Sequence, residues 1–183
     1  MSHNIDLRYP IGKVADQPFA GKEYNKEIKS AFLQDIENCP SGLENAVINL
    51  DEHQLNTPYR DEGWTIKQVV HHVADSHMNA YIRFKLGLTE DNPVIKPYDE
   101  AAWANLSDTQ NLPVNISLTL LHALHLRLTE LLKNISDEDW QRTVFHPDQK
   151  RTITLWSLLG IYAWHGKHHI AHITNLRERL KWN

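Results

Sequence analysis

The chain carries a single cysteine, Cys39, so it holds no intramolecular disulfide and suits a reducing compartment. Cys39 precedes Pro40 and has neither a Cys-x-x-Cys partner nor a neighbouring histidine in sequence. It reads as a small core or surface filler rather than a catalytic thiol. Glycine and proline are scarce, 7 and 8 in 183 residues, and most prolines lie outside the periodic stretches, which favours helices. Basic charge is not in excess: 19 Lys and Arg against 23 Asp and Glu give a net charge of −4. That balance offers no broad surface for a phosphate backbone and sets nucleic acid aside as a partner. The longest apolar run, Ile153–Trp164, is too short to cross a bilayer, and Met1–Tyr9 is too polar for a secretory signal. These absences point to a cytoplasmic protein with no membrane partner.

What remains is a chain of ordinary globular composition, 41% hydrophobic and 23% charged, of a length that suits one domain over residues 1–183. Residues 1–22 show no period and read as an extended arm. From Tyr24 to Leu50, Ile28, Phe32, Leu33, Ile36, Leu43, Val47 and Leu50 recur at helical intervals. Pro40-Ser41-Gly42 interrupts them, so either one kinked helix or two consecutive pieces is expected. A loop over residues 56–63 leads to a second helix that carries Ile66, Val69, Val70, Val73, Ala80, Tyr81 and Phe84 and ends near Leu88. Residues 91–114 look irregular. A third helix spans about Ile116 to Lys133, a small hairpin turns at His146-Pro147-Asp148, and Thr154 can cap a fourth helix running through Leu180. The expected class is all-α: a four-helix bundle with an extended N-terminal arm and a small hairpin before the last helix.

Histidine is the residue in surplus. There are 12, and seven fall in two short windows: His71, His72 and His77, then His165, His168, His169 and His172. Histidine is the commonest metal ligand among side chains. At about 100° per residue, His169 falls inside the apolar face of the last helix and His165 beside it, four residues apart, so one ion can meet both rings. His172 and His168 lie progressively further round, with His168 near the solvent side. On the second helix the wheel barely separates His71 from His72, with His72 slightly nearer the apolar side. Burying several imidazoles without partners would cost several kcal/mol, roughly, whereas a metal ion satisfies them together. His3, His53, His122, His125 and His146 read as surface or loop residues.

The run Pro58-Tyr59-Arg60-Asp61, Gly63-Trp64-Thr65, Val69-Val70-His71-His72 and Ala74-Asp75-Ser76-His77-Met78-Asn79 resembles the YfiT branch of the DinB-like superfamily. So do Tyr81-Ile82-Arg83-Phe84-Lys85, Lys96-Pro97-Tyr98-Asp99-Glu100, His146-Pro147-Asp148, and Trp164-His165 with His168-His169-Ile170-Ala171-His172-Ile173. The resemblance covers essentially the whole chain. It implies a four-helix bundle with a three-histidine site, whose first ligand matches His72 and whose others match His165 and His169. It further implies a metal-dependent hydrolase holding one divalent ion per chain, zinc or nickel, and a homodimer. Elsewhere the superfamily is thiol-dependent, transferring bacillithiol or mycothiol to electrophiles or isomerising maleylpyruvate.

Three imidazoles leave an ion with an open coordination position, the arrangement of a catalytic rather than a structural site. A water there, or a low-molecular-weight thiol, would give a hydrolase or a thiol S-transferase acting on a small-molecule substrate. A non-catalytic metal-binding stress protein is the third expectation. His165-Gly-Lys-His168-His169 lacks the glutamate of zinc-protease motifs, so no general base is evident. Asp75 is a candidate to orient a ligand. Tyr59, Arg60 and Trp64 are candidates for the pocket mouth, with Arg60 suited to a carboxylate.

Overall fold

A computed structural model describes residues 6–17 and 23–182. Four long helices dominate: α1 (Lys26–Val47), α3 (Ile66–Thr89), α6 (Val114–Lys133) and α7 (Leu155–Leu180). Between them lie the short helices α2 (Glu52–Leu55), α4 (Glu100–Trp103) and α5 (Ser107–Asn111), and an antiparallel hairpin of β1 (Thr143–His146) and β2 (Arg151–Thr154). Three of the four long helices start where a side chain satisfies their free N–H groups; α6 starts after Pro113 without one. Asn25 accepts from Glu27 and Ile28, Thr65 forms a capping box with Gln68, and Thr154 accepts from Ser157.

Each of α1 and α3 packs against both α6 and α7, so the four helices form a ring in the order α1, α6, α3, α7. This is the expected four-helix bundle. Its core falls into two clusters, one around Phe84, Leu128, Trp140 and Leu159, the other around Leu43, Val70, Leu121 and Ile173. Among the described residues no helix is long and apolar enough to cross a membrane.

The α1–α7 crossing is tight. A Cβ on Gly166 of α7 would stand 2.7 Å from the Cys39 sulfur of α1, and one on Gly42 of α1 would stand 2.9 Å from Ile170 of α7. Each helix contributes one glycine where the other bulges. Cys39 itself is buried, and burial pushes its thiol up to about 12, so it packs as a protonated hydrophobe.

One alternative is decided in favour of a single helix, and two expectations need correction. Pro40 does not split α1, which is one helix; it supplies no N–H, which leaves the Ile36 carbonyl one turn earlier without a helical donor. Residues 91–114 are not irregular throughout, because the Asp99 carboxylate accepts from Ala102 and starts α4, and α5 follows. The arm, expected to be extended over residues 1–22, falls partly outside the described residues (1–5 and 18–22). Its described part folds through turns, with the Asp6 carboxylate bound to Arg8, a positive φ at Gly12 and a 3-10 turn at Val14–Asp16.

Candidate metal centre

Helices α3 and α7 bring three histidines together. His72 comes from α3; His165 and His169, one turn apart, come from α7. One nitrogen from each lies within 4.8 Å of the other two, and the Nε2 atoms of His72 and His165 are 3.2 Å apart. Two nitrogens each about 2.0–2.1 Å from a tetrahedral zinc ion stand about 3.3 Å from one another, so this pair already has the spacing of a coordination edge. Burial holds all three rings neutral: His72 is depressed to about 4, and His165 and His169 go well below the ordinary histidine value. Neutral imidazole is the form that ligates a metal. The donor set therefore fits a divalent ion.

The structure also separates His71 from His72. The His71 Nε2–H donates to the Leu112 carbonyl at 3.3 Å, and its Nδ1 accepts from the Ser117 hydroxyl at 2.7 Å. Both of its nitrogens are engaged by the start of α6.

The three histidines border a cavity of about 430 Å³ walled by Tyr59, Arg60, Trp64, Trp164 and Glu100. Trp64 packs on the His72 ring at 4.6 Å, and Tyr59 stacks on His172 at 3.9 Å. Arg60 lies over the Tyr59 ring and donates from Nη1 to the Asp61 carbonyl, while its buried Nε has no hydrogen-bond partner among the described residues. A second cavity, about 370 Å³, meets the first at His165 and Glu100 and is lined by Arg83, Tyr98, His146, Asp148 and Arg151. Glu100, at the junction, has its carboxyl raised by desolvation, which outweighs the pull of Arg83.

Asp75 does not line the cavity beside His72. Three residues after His72 means about 60° short of a full turn, which carries the side chain round the helix. Burial, with Asp108 as the nearby like charge, raises its carboxyl to about 6. Two histidines expected at the surface are buried. His125 occupies the inner stripe of α6 with Leu121, Leu128 and Leu132, an i, i+4, i+7, i+11 spacing readable in the sequence. His168 is 6% exposed because the N-terminal segment covers that flank, with Tyr9 6.2 Å from it and Trp164 stacked at 4.3 Å. His77, which fills the gap in the apolar stripe of α3 between Val73 and Ala80, is fully buried.

The sequence pattern of the DinB superfamily matches residues 35–173. The chain belongs to the DinB superfamily. Within it, the chain is 49% identical over 180 residues to YfiT of Bacillus subtilis strain 168, covering 98% of this chain and 99% of that one. It is 52% identical over 177 residues to a protein of Bacillus cereus strain AH820, covering 97% and 99%. Both relatives are provisionally named metal-dependent hydrolases. The solved structure of B. subtilis YfiT, described as having an unusual four-helix bundle topology, superposes with a TM-score of 0.92 at 50% identity over 98% of this chain and all of that one. A mycothiol-dependent maleylpyruvate isomerase shares the fold at a TM-score of 0.63 and 18% identity, over 79% of this chain and 60% of that one.

Proposed function

We propose that the chain is a metal-dependent hydrolase of small molecules, holding one divalent ion, zinc or nickel, through His72, His165 and His169. The observation that carries this reading is three imidazoles with ligand atoms within 4.8 Å of one another, one pair at 3.2 Å, on the wall of a cavity. Bound there, a divalent ion would supply Lewis acidity and lower the pKa of a coordinated water from about 15.7 to about 7. The remaining work falls to the chain. Glu100, which lines both cavities and has its carboxyl raised, is the candidate to take up a proton from the nucleophile. Arg60, whose buried Nε at the mouth has no partner among the described residues, suits a carboxylate on the substrate. Trp64, Tyr59 and Trp164 exclude water from the walls and orient what binds.

Elemental analysis of the purified protein beside a His165→Ala, His169→Ala double variant tests the site. About one ion per chain in the parent and none in the variant is expected, followed by turnover of esters, amides or phosphoesters that needs no added thiol and falls in Glu100→Gln. No ion in the parent, or equal binding in both proteins, would sink the reading. A second reading, thiol transfer, draws on the adjoining cavity at His165, which gives room for a second reactant. Turnover that appears only when a low-molecular-weight thiol is added would favour it over hydrolysis.

A further inference from the structure

Buried histidines beyond the three candidate ligands run in a line through the bundle. The His125 Nδ1 lies 2.7 Å from the Ile36 carbonyl, the one left without a helical donor by Pro40. The His125 Nε2 is 2.8 Å from Nδ1 of His77, and the His77 Nε2 is 3.3 Å from Nδ1 of His165. Four ring-to-ring or ring-to-carbonyl partners thus come in turn from α1, α6, α3 and α7.

A carbonyl oxygen can only accept, so His125 must carry its proton on Nδ1. His125 and His77 are 2% and 0% exposed, and the groups facing His77 are rings and a protonated thiol rather than carboxylates. An imidazolium there would be desolvated without a counter-charge, so burial keeps each ring neutral. A neutral imidazole has one donor and one acceptor. With the His125 proton on Nδ1, its Nε2 accepts from His77 Nδ1–H; the His77 Nε2 in turn accepts from His165 Nδ1–H. The only lone pair left on His165 is on Nε2, the atom 3.2 Å from His72 Nε2.

We propose that the Ile36 carbonyl, acting through His125 and His77, fixes the proton of His165 on Nδ1 and presents its Nε2 lone pair to the ion. His77 and His125 are positioning residues. The inference rests on His165 being a ligand, as in the reading above. The same logic holds on the other flank through longer bonds. The Arg8 carbonyl accepts from His172 Nε2–H at 3.3 Å, and His172 Nδ1 accepts from His169 Nδ1–H at 3.4 Å, leaving the His169 Nε2 free.

Cys39, His77 and His125 also have potential ligand atoms within 4.8 Å of one another, which raises a second metal site as the competing explanation. The 2.8 Å between the two nitrogens is a shared-proton distance, shorter than the coordination edge of about 3.3 Å, and the cysteine is a buried thiol. The relay accounts for both rings without an ion.

Nitrogen-15 NMR of the metal-free full chain reads the tautomers directly and needs no variant. The His165 proton is expected on Nδ1, the less common tautomer in water; finding it on Nε2 overturns the proposal while leaving the three-histidine site intact. Zinc affinity, measured by chelator competition, is expected to fall about 10–100-fold in His77→Phe. It should recover most of that loss in His77→Gln, whose amide oxygen can still accept from His165. Affinity unchanged in a folded His77→Phe, equal loss in both variants, or a second zinc ion lost with His77→Phe would each overturn it. A parent that binds no zinc would instead remove the hydrolase reading, and the tautomer measurement would still stand.

Discussion

At the scale of single residues, the centre is a set of imidazoles kept neutral by burial. In the folded chain His72, His125 and His172 are depressed to about 4, with burial the leading cause in each, and His168 to about 3. In the unfolded chain they regain the ordinary value near 6.5. As pH falls below 6.5 the unfolded chain takes up protons first, so the stability these groups confer is complete above that pH and drains away towards pH 4. Each contributes a slope of about 1.4 kcal/mol per pH unit inside that window. Urea midpoints of the metal-free protein should therefore drop steadily from pH 7 to pH 5; a flat profile there would refute the burial argument. The sequence disclosed part of this. His165 and His169 stand on an apolar face at i, i+4, and the wheel finds them. His77 and His125 also stand on apolar stripes. A periodicity read only through hydrophobic residues passes over them, because it treats a histidine as a gap rather than a core residue. His71 and His72 differ by 100° on a helix buried nearly all round, so only the Ser117 and Leu112 contacts separate them.

At the scale of helices, position depends on what each element gives up at its crossing. Helices α1 and α7 approach over Gly166 and Gly42, and the Cys39 sulfur fills the space a Gly166 side chain would take. Gly166→Ala is expected to cost about 1–3 kcal/mol by overpacking, read as a lowered denaturant midpoint. Adding Cys39→Ala should restore much of that loss, since the clash is with sulfur. A double variant no better than the single one would place the strain elsewhere. Because Gly166 follows His165, the same crossing sets where that ring hangs. The four long helices were legible from the 3.6-residue period of Leu120, Leu121, Leu124 and Leu128 and its counterparts. Pro40 was legible as a perturbation but not as a use: the pattern shows a helix breaker, whereas the fold shows a carbonyl made available. Nor could Asp99 be separated from an ordinary loop aspartate before its carboxylate was seen on the Ala102 amide.

At the scale of the whole molecule, the centre is not confined to the bundle. The Arg8 carbonyl accepts from His172 Nε2–H, the Gly12 carbonyl accepts from the Trp164 indole N–H at 3.3 Å, and Tyr9 lies against His168. No periodicity could announce these contacts, since residues 6–17 have none and their carbonyls are the groups that count. The N-terminal segment is thus pinned by the same α7 face that carries His165 and His169. Anything that tightens those rings also tightens the segment above them, by reciprocity of coupled equilibria. Trypsin then becomes a gauge of occupancy. Cleavage after Lys13 should slow when zinc is added to the metal-free protein, and should not respond to zinc in the His165→Ala, His169→Ala variant. Equal cleavage with and without zinc would uncouple the segment from the centre. Coupling would mean that an affinity tag fused ahead of Arg8 is no inert handle, because it pulls on the strap that buckles over the histidine face of α7.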